Sequence, residues 1–351
     1  MDKIRVLLAD DAAVIRRLVS TTIDDDRALQ VVGTAANGLI ALEKIKLLDP
    51  DIVVLDLEMP ELDGLQTLKA LRQSQPRLPV VMFSSYTRRG MQATVDALML
   101  GASDYVPKPD SIDDVASCIR DELIPRIKSL ARLKPASGIL AAASVVGPPA
   151  IAEKPAAVEV LAIGASTGGP NALVTLLSAL PASWSLPILV TQHMPPQFTQ
   201  QLALRLSEQT SLVVSEAEHG MSLLGGRAYI APGNHHLVLR GLPEKRLELN
   251  QDPPVNSCRP SVDVMFQSVA ENVGPGVLAV VLTGMGQDGL RGCEHIRQRG
   301  GQVIVQDEAS SVVWSMPGAV ARAGLAQAVL PLEALAAEII MRVQSAPKSR
   351  N

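Results

Sequence analysis

Short apolar runs, each ending in a polar or charged residue and followed by a helical stretch, constrain this chain more than any other feature. In the first third they are IRVLLA (4–9) before Asp10-Asp11, LQVVGTA (29–35), DIVVLD (51–56), PVVMFS (79–84), and SDYVP (103–107) before Lys108. Apolar runs without period-two alternation fit strands buried on both faces, which is the habit of parallel sheets covered by helices. The same texture returns in VEVLAIGA (158–165), LPILVT (186–191), VLAVVL (277–282) and QVIV (302–305), with a hairpin expected in AYIAPGNHHLVL (228–239). Strand and helix alternate throughout, so both halves are expected to be doubly wound α/β domains, the second with a mostly parallel sheet. Between them, Pro135, Pro148, Pro149 and Pro155 interrupt an Ala/Ser/Gly-rich stretch. That texture reads as a linker. The expected boundaries are 1–127, a linker at 128–157, and 158–351.

A chain of 351 residues holds two domains of ordinary size, and 47% apolar against 19% charged residues is enough for two cores. Aromatic residues make up 2%, and the formal charge is −4. The first removes the stacking platforms that single-stranded nucleic acid needs, and the second argues against a duplex-binding surface. Cys118, Cys258 and Cys293 are odd in number and widely spaced. They suggest neither a disulfide frame nor a zinc site, and read as idle thiols in a reducing compartment. Two aspartates follow the first short apolar run, too early for a signal peptide, and no stretch is long enough to span a bilayer. A soluble cytoplasmic protein, monomeric and without membrane insertion, is expected.

Ligands of doubly wound sheets gather at the carboxyl ends of the strands. In the first domain those ends carry Asp10, Asp11, Asp56, Ser84 and Lys108. Clustered carboxylates need a hard cation, and Mg²⁺ accepts such oxygens together with phosphate. Asp56 is then placed to attack a phosphoryl donor, with Lys108 balancing charge and Ser84 donating a hydrogen bond. The competing reading is that the aspartates are helix N-caps. Residues 1–125 resemble the receiver domain of two-component response regulators, through Asp10-Asp11, LDLEMPELDG (55–64), Ser84, Tyr105 and Lys108-Pro109. The resemblance implies a histidine kinase as phosphodonor and Asp56 as phosphoacceptor. It implies Mg²⁺ on Asp10, Asp11, Asp56 and the Glu58 carbonyl, and switch residues Ser84, Tyr105 and Lys108, with a cis bond before Pro109. Ala12 departs from the small hydroxyl residue common there.

In the second domain, Gly164-Ala165-Ser166-Thr167-Gly168 fits G-x-S-x-G, a strand-to-helix turn that lifts a serine hydroxyl above a sheet. A plain glycine-rich turn, such as a phosphate loop, is the alternative. Two further strand ends, Gln192-His193 and Thr283–Gly289, offer a histidine and Asp288. Serine hydrolysis needs a base and a group that orients it. His193 is the best placed of the five histidines, and Asp288 would bond its far nitrogen. The alternative for Asp288 is a cap on the helix from Leu290. Amides of the Gly284–Gly286 loop are candidate oxyanion donors. The order Ser, His, Asp differs from the Ser, Asp/Glu, His of α/β-hydrolases.

GASTGGP (164–170), QHMPPQFT (192–199), YIAPGNHHL (229–237), RPSVDVMF (259–266) and VLTGMGQDG (281–289) resemble the chemotaxis methylesterase (CheB) family. The resemblance implies Ser166 as nucleophile, His193 as base, Asp288 as orienter, the Met285 amide in the oxyanion hole, and Thr167 beside the nucleophile. The implied substrate is a glutamate γ-methyl ester on methylated chemoreceptors, with receptor glutamines also deamidated and no cofactor in this domain. It further implies that the unphosphorylated receiver and linker cover the serine. A non-catalytic response regulator whose second domain only binds a receptor or partner is the competing class.

Overall fold

The computed structural model describes residues 3–85, 87–109, 111–131, 156–241 and 244–344. The chain divides into two compact units, 1–135 and 136–351.

The first unit runs β1 (Ile4–Ala9), α1 (Ala13–Asp24), β2 (Leu29–Ala35), α2 (Gly38–Leu48), β3 (Ile52–Leu55), α3 (Gly64–Ser74), β4 (Val80–Ser85), α4 (Arg88–Met99), β5 (Asp104–Lys108) and α5 (Ile112–Cys118). One wide turn, Ile119–Leu123, carries α5 into α6 (Ile124–Ala131). All strands are parallel, in the order β2-β1-β3-β4-β5. β1 and β3 therefore flank the point where the winding reverses, and Asp10 and Asp56 stand at their ends. Gly64 is needed where α3 begins, because a Cβ there would lie 2.1 Å from the Asp56 carbonyl oxygen. Asp63 and Gln66 exchange hydrogen bonds to start that helix. α6 continues through Ala131, with Ile127 and Leu130 buried, so helix extends four residues past the expected boundary at 127. The rest of the expected linker, 132–155, lies outside the described residues.

The second unit runs β6 (Val160–Ala165), α7 (Gly169–Ser178), β7 (Ile188–Gln192), α8 (Phe198–Gln209), β8 (Val213–Glu216), β9 (Arg227–Ile230), β10 (His236–Arg240) and β11 (Arg246–Asn250). It continues with α9 (Val262–Val273), β12 (Val277–Val281), α10 (Leu290–Gln298), β13 (Gln302–Gln306), α11 (Ser315–Arg322), β14 (Ala328–Leu330) and α12 (Leu332–Gln344). Seven parallel strands form one sheet, ordered β14-β13-β12-β6-β7-β9-β8. The expected hairpin at 228–239 is corrected. Residues 227–230 belong to the main sheet, and the hairpin is β10 with β11, one connection later. Ala228, Tyr229 and Ile230 are all buried, as in a covered strand of the main sheet.

β6 is the first strand of this unit and the middle of its sheet. The chain passes from β7 to β8 at the sheet edge, fills the place between them with β9, then returns to the other side of β6 with β12. The loops after β6, β7 and β12 thus meet at the switch point, the usual ligand crevice of such sheets. A core of Val160, Leu189, Tyr229, Phe266, Val277 and Ile296, with similar aliphatic residues, holds these strands in place.

Candidate active site

Strand register sets Ser166 and His193 side by side. Gly164 pairs with Thr191 and Ala165 with Gln192, and the His193 amide donates to the Ala165 carbonyl at 3.1 Å. On the other flank, the Ser166 amide donates to the Thr283 carbonyl at 3.0 Å. The turn itself depends on two glycines. Gly168 has φ +76°, a conformation that glycine adopts without penalty. A Cβ on Gly169 would lie 1.9 Å from Gln192 Oε1. Gln192 Nε2 donates to the Ser166 carbonyl at 2.9 Å and pins the turn to β7.

Asp288 is 2% exposed and approaches His193 Nε2 to 2.8 Å through Oδ2. It is not the cap of α10 that one sequence reading allowed. Its carboxylate lies on the N-terminus of α9 instead, accepting from the Val262 amide at 2.6 Å, the Asp263 amide at 3.1 Å and Ser261 Oγ at 2.8 Å. Asp263 returns the arrangement, accepting from the Gly289 and Gly292 amides at 3.0 and 2.7 Å at the start of α10. Asn256 Nδ2 joins the two carboxylates, 2.8 Å from each. Helix N-termini favour negative charge. Burial alone would raise Asp288, but His193, the Val262 amide and Asn256 hold it down at about 2. Burial and the neighbouring Asp288 push the Asp263 carboxyl up. Burial alone would likewise lower His193, yet its bonds to Asp288 and Cys258 carry it up to about 9.

With Nε2 committed to Asp288, Nδ1 is the imidazole nitrogen left to take a proton. It faces Cys258 Sγ at 3.6 Å, so the expectation of an idle thiol is corrected for this residue. Among the described residues no hydrogen bond joins Ser166 to His193. Catalytic contacts of this kind often tighten only when substrate binds.

Candidate oxyanion donors in the loop after β12 narrow to one. The Gly284 amide donates to the Val313 carbonyl and the Gly286 amide to Ser315 Oγ, while the Met285 amide has no such partner among the described residues. That loop packs against the serine, since a Cβ on Gly284 would come within 2.8 Å of Ser166 Cβ. Thr283 Oγ1 donates to the Thr167 carbonyl at 2.9 Å, tying the two loops together. Of the other histidines, His236 is buried and accepts from the Ser261 amide at 3.2 Å. His219 and His295 bond only to backbone on exposed loop and helix surfaces.

In the first unit, Lys108 Nζ lies 2.6 Å from Asp56 Oδ2 and 2.7 Å from Asp10 Oδ2. Burial raises Asp56 to about 6 against the pull of Lys108. The cap reading does not describe these carboxylates. Asp56 Oδ1 accepts from the Leu57 amide, Asp10 Oδ1 from the Ala12 amide, and α1 starts without a side-chain cap. Oxygens of Asp10, Asp11 and Asp56 lie within 4.8 Å of one another, and among the described residues buried Asp10 Oδ2 has no donor beside it other than the Lys108 ammonium. A hard-oxygen set of this kind fits Mg²⁺. Ser84 and Tyr105 are buried, and Ser84 Oγ meets Thr94 Oγ1 at 3.1 Å. Glu58 is exposed. The cis bond expected before Pro109 is not found; among the described residues the cis peptide lies between Arg259 and Pro260.

Two family models match the chain: the CheB methylesterase over residues 161–339 and the response regulator receiver domain over 6–120. The chain belongs to the CheB methylesterase family. A relative from Trichodesmium erythraeum, named protein-glutamate methylesterase/protein-glutamine glutaminase, is 49% identical over 98% of this chain and 100% of its own length. A Nocardioides relative of the same name is 50% identical over 98% and 96%. The crystal structure of the Thermotoga maritima CheB methylesterase catalytic domain is 39% identical and covers 52% of this chain and 98% of that one, at a TM-score of 0.51. Asn256, Asp263, Ser261 and Cys258 escape the sequence reading of this CheB-family site. The signals for them were that Ser261 and Asp263 lie inside RPSVDVMF and Cys258 just before it and, for Asn256, an asparagine-serine pair of turn-forming type.

Proposed function

We propose that the second unit is a serine esterase that removes methyl groups from glutamate γ-methyl esters on chemoreceptors, and that the first unit activates it when phosphorylated on Asp56. The observation that carries this reading is the Asp288–His193 pair placed at the strand end next to Ser166. In this mechanism His193 Nδ1 takes the Ser166 proton as Oγ attacks the ester carbonyl, and Asp288 stabilises the imidazolium. The Met285 amide donates to the oxyanion, a contact whose loss typically costs about 3 kcal/mol. His193 then returns the proton to methoxide, and methanol leaves. Water repeats the sequence to free the glutamate. Amide attack by the same route would deamidate receptor glutamines, as the names of the relatives indicate for those proteins.

In the receiver, Asp10, Asp11, Asp56 and the Glu58 carbonyl would hold Mg²⁺, which neutralises charge on an incoming phosphoryl group. Asp56 is the nucleophile, Lys108 holds the transferred phosphoryl, and Ser84 and Tyr105 respond to it. The phosphodonor is a histidine kinase. The reading places the chain in the cytoplasm, facing receptor domains there. Among the described residues no helix is long and apolar enough to cross a membrane.

The test is methanol release from methylated receptor by the full chain, with and without acetyl phosphate. Activity should rise with acetyl phosphate, lose that rise in Asp56→Asn, and vanish in Ser166→Ala. Unchanged methanol release by Ser166→Ala would reject the esterase and leave a receptor-binding regulator.

A further inference from the structure

Cys258 lies outside the triad but is held against it by a rigid device. Val255 and Cys258 exchange both backbone hydrogen bonds, at 3.1 and 2.9 Å, around Asn256 and Ser257 with φ +51° and +62°. Two successive positive φ angles make a tight hairpin turn, a conformation that asparagine tolerates and serine resists. One arm of the turn sends Asn256 to Asp288 and Asp263, and the other sets Cys258 Sγ 3.6 Å from His193 Nδ1.

We propose that this pair is a site for a thiophilic divalent cation of the zinc class, which arrests the esterase by occupying the nitrogen that takes the serine proton. The proposal rests on the reading of His193 as base. Tetrahedral zinc with ligands at about 2.3 Å to sulfur and 2.0–2.1 Å to nitrogen holds them about 3.5 Å apart, close to the separation found. Asp288 on Nε2 leaves Nδ1, once it gives up its proton, to face the metal, the carboxylate–histidine–metal arrangement that orients a ligating imidazole. Sulfur with imidazole selects zinc-class ions, whereas the oxygen set of Asp10, Asp11 and Asp56 selects Mg²⁺, so the two units sort metals by ligand softness. Cys258 and His193 are each partly accessible, so the remaining ligands of the ion would be solvent water. Binding releases the thiol proton to solvent, and that of the imidazole when it is charged.

Cobalt(II) added to the metal-free full chain reports the site directly. A thiolate-to-cobalt absorption band in the near ultraviolet is expected in the wild type, in Cys118→Ser and in Ser166→Ala, and should be absent from Cys258→Ser and Cys258→Ala. Zinc should inhibit wild-type methanol release reversibly with chelator. Its inhibition constant should weaken at least about tenfold in either Cys258 variant, each compared with its own zinc-free rate. Because the turn is closed by backbone groups, these variants keep its hydrogen bonds. No band in the wild type, a band that survives loss of Cys258, or equal zinc inhibition of the variants overturns the proposal. A band without any esterase activity would reject the esterase reading and leave the metal site standing.

Discussion

His193 carries an unusual burden for the general base proposed above. A folded value of about 9 means that the imidazole is mostly protonated at neutral pH and becomes a base only as pH rises. The acid limb of kcat/KM should therefore rise about tenfold per pH unit from 6 toward 8 and level off near 9, not near 6.5. Cys258 is one of the groups that hold the value up, so Cys258→Ala should move the limb downward. A pH–rate profile of the two proteins checks both the position and the sign. Asn256 makes a second residue-level case. It donates to the Asp288 oxygen opposite the one facing His193, and Asn256→Ala leaves a buried charge short of a partner. Such a loss costs about 1–3 kcal/mol. Steady-state kinetics should show kcat down by about tenfold or more with KM little changed.

At the scale of elements, helices α9 and α10 exchange capping carboxylates, and this exchange places Asp288. Their start residues read as ordinary helix beginnings, but the capping groups come from the opposite helix, about 25 residues away in the chain. A sequence search for local caps misses them because it looks only within four residues of each helix start. The loop after β12 is equally demanding. Gly284→Ala would press a methyl group on Ser166 Cβ and on Met316 Sδ, 2.3 Å from the ideal position. Methanol release should fall sharply while the unfolding midpoint shifts little, because the loop can move away from the serine more easily than the strands can part. In the receiver, Lys108 is the ammonium between two buried carboxylates. Removing one partner of such a pair costs about 3–5 kcal/mol. Lys108→Ala should thus melt earlier, and Mg²⁺ should recover more stability in the variant than in the wild type, as thermal denaturation with and without the ion would show.

For the whole molecule, the recurring device is a parallel sheet whose winding reverses at its middle strand. It is used twice, once for a carboxylate-ammonium cluster and once for Ser166, His193 and Asp288. The second unit has its own core and holds Ser166, His193 and Asp288, the proposed triad, so a fragment beginning at Ala156 should fold and hydrolyse receptor esters. Its rate should not respond to acetyl phosphate, since Asp56 is absent; a stopped methanol assay on fragment and full chain tests this. By itself the sequence determined the alternation of strands and helices, the residue types at strand ends, and the order Ser, His, Asp. The alternation follows from the periodicity of backbone elements, and the residue types and their order are read directly along the chain. Only the tertiary structure decided which imidazole nitrogen Asp288 engages, which loop amide remains for an oxyanion, and that Cys258 meets His193. Those contacts join residues 65 and 95 positions apart, and they depend on strand register and on the crossover that returns β12 to the side of β6. No local pattern encodes that register, because it is set by how the two faces of the sheet pack against their helices.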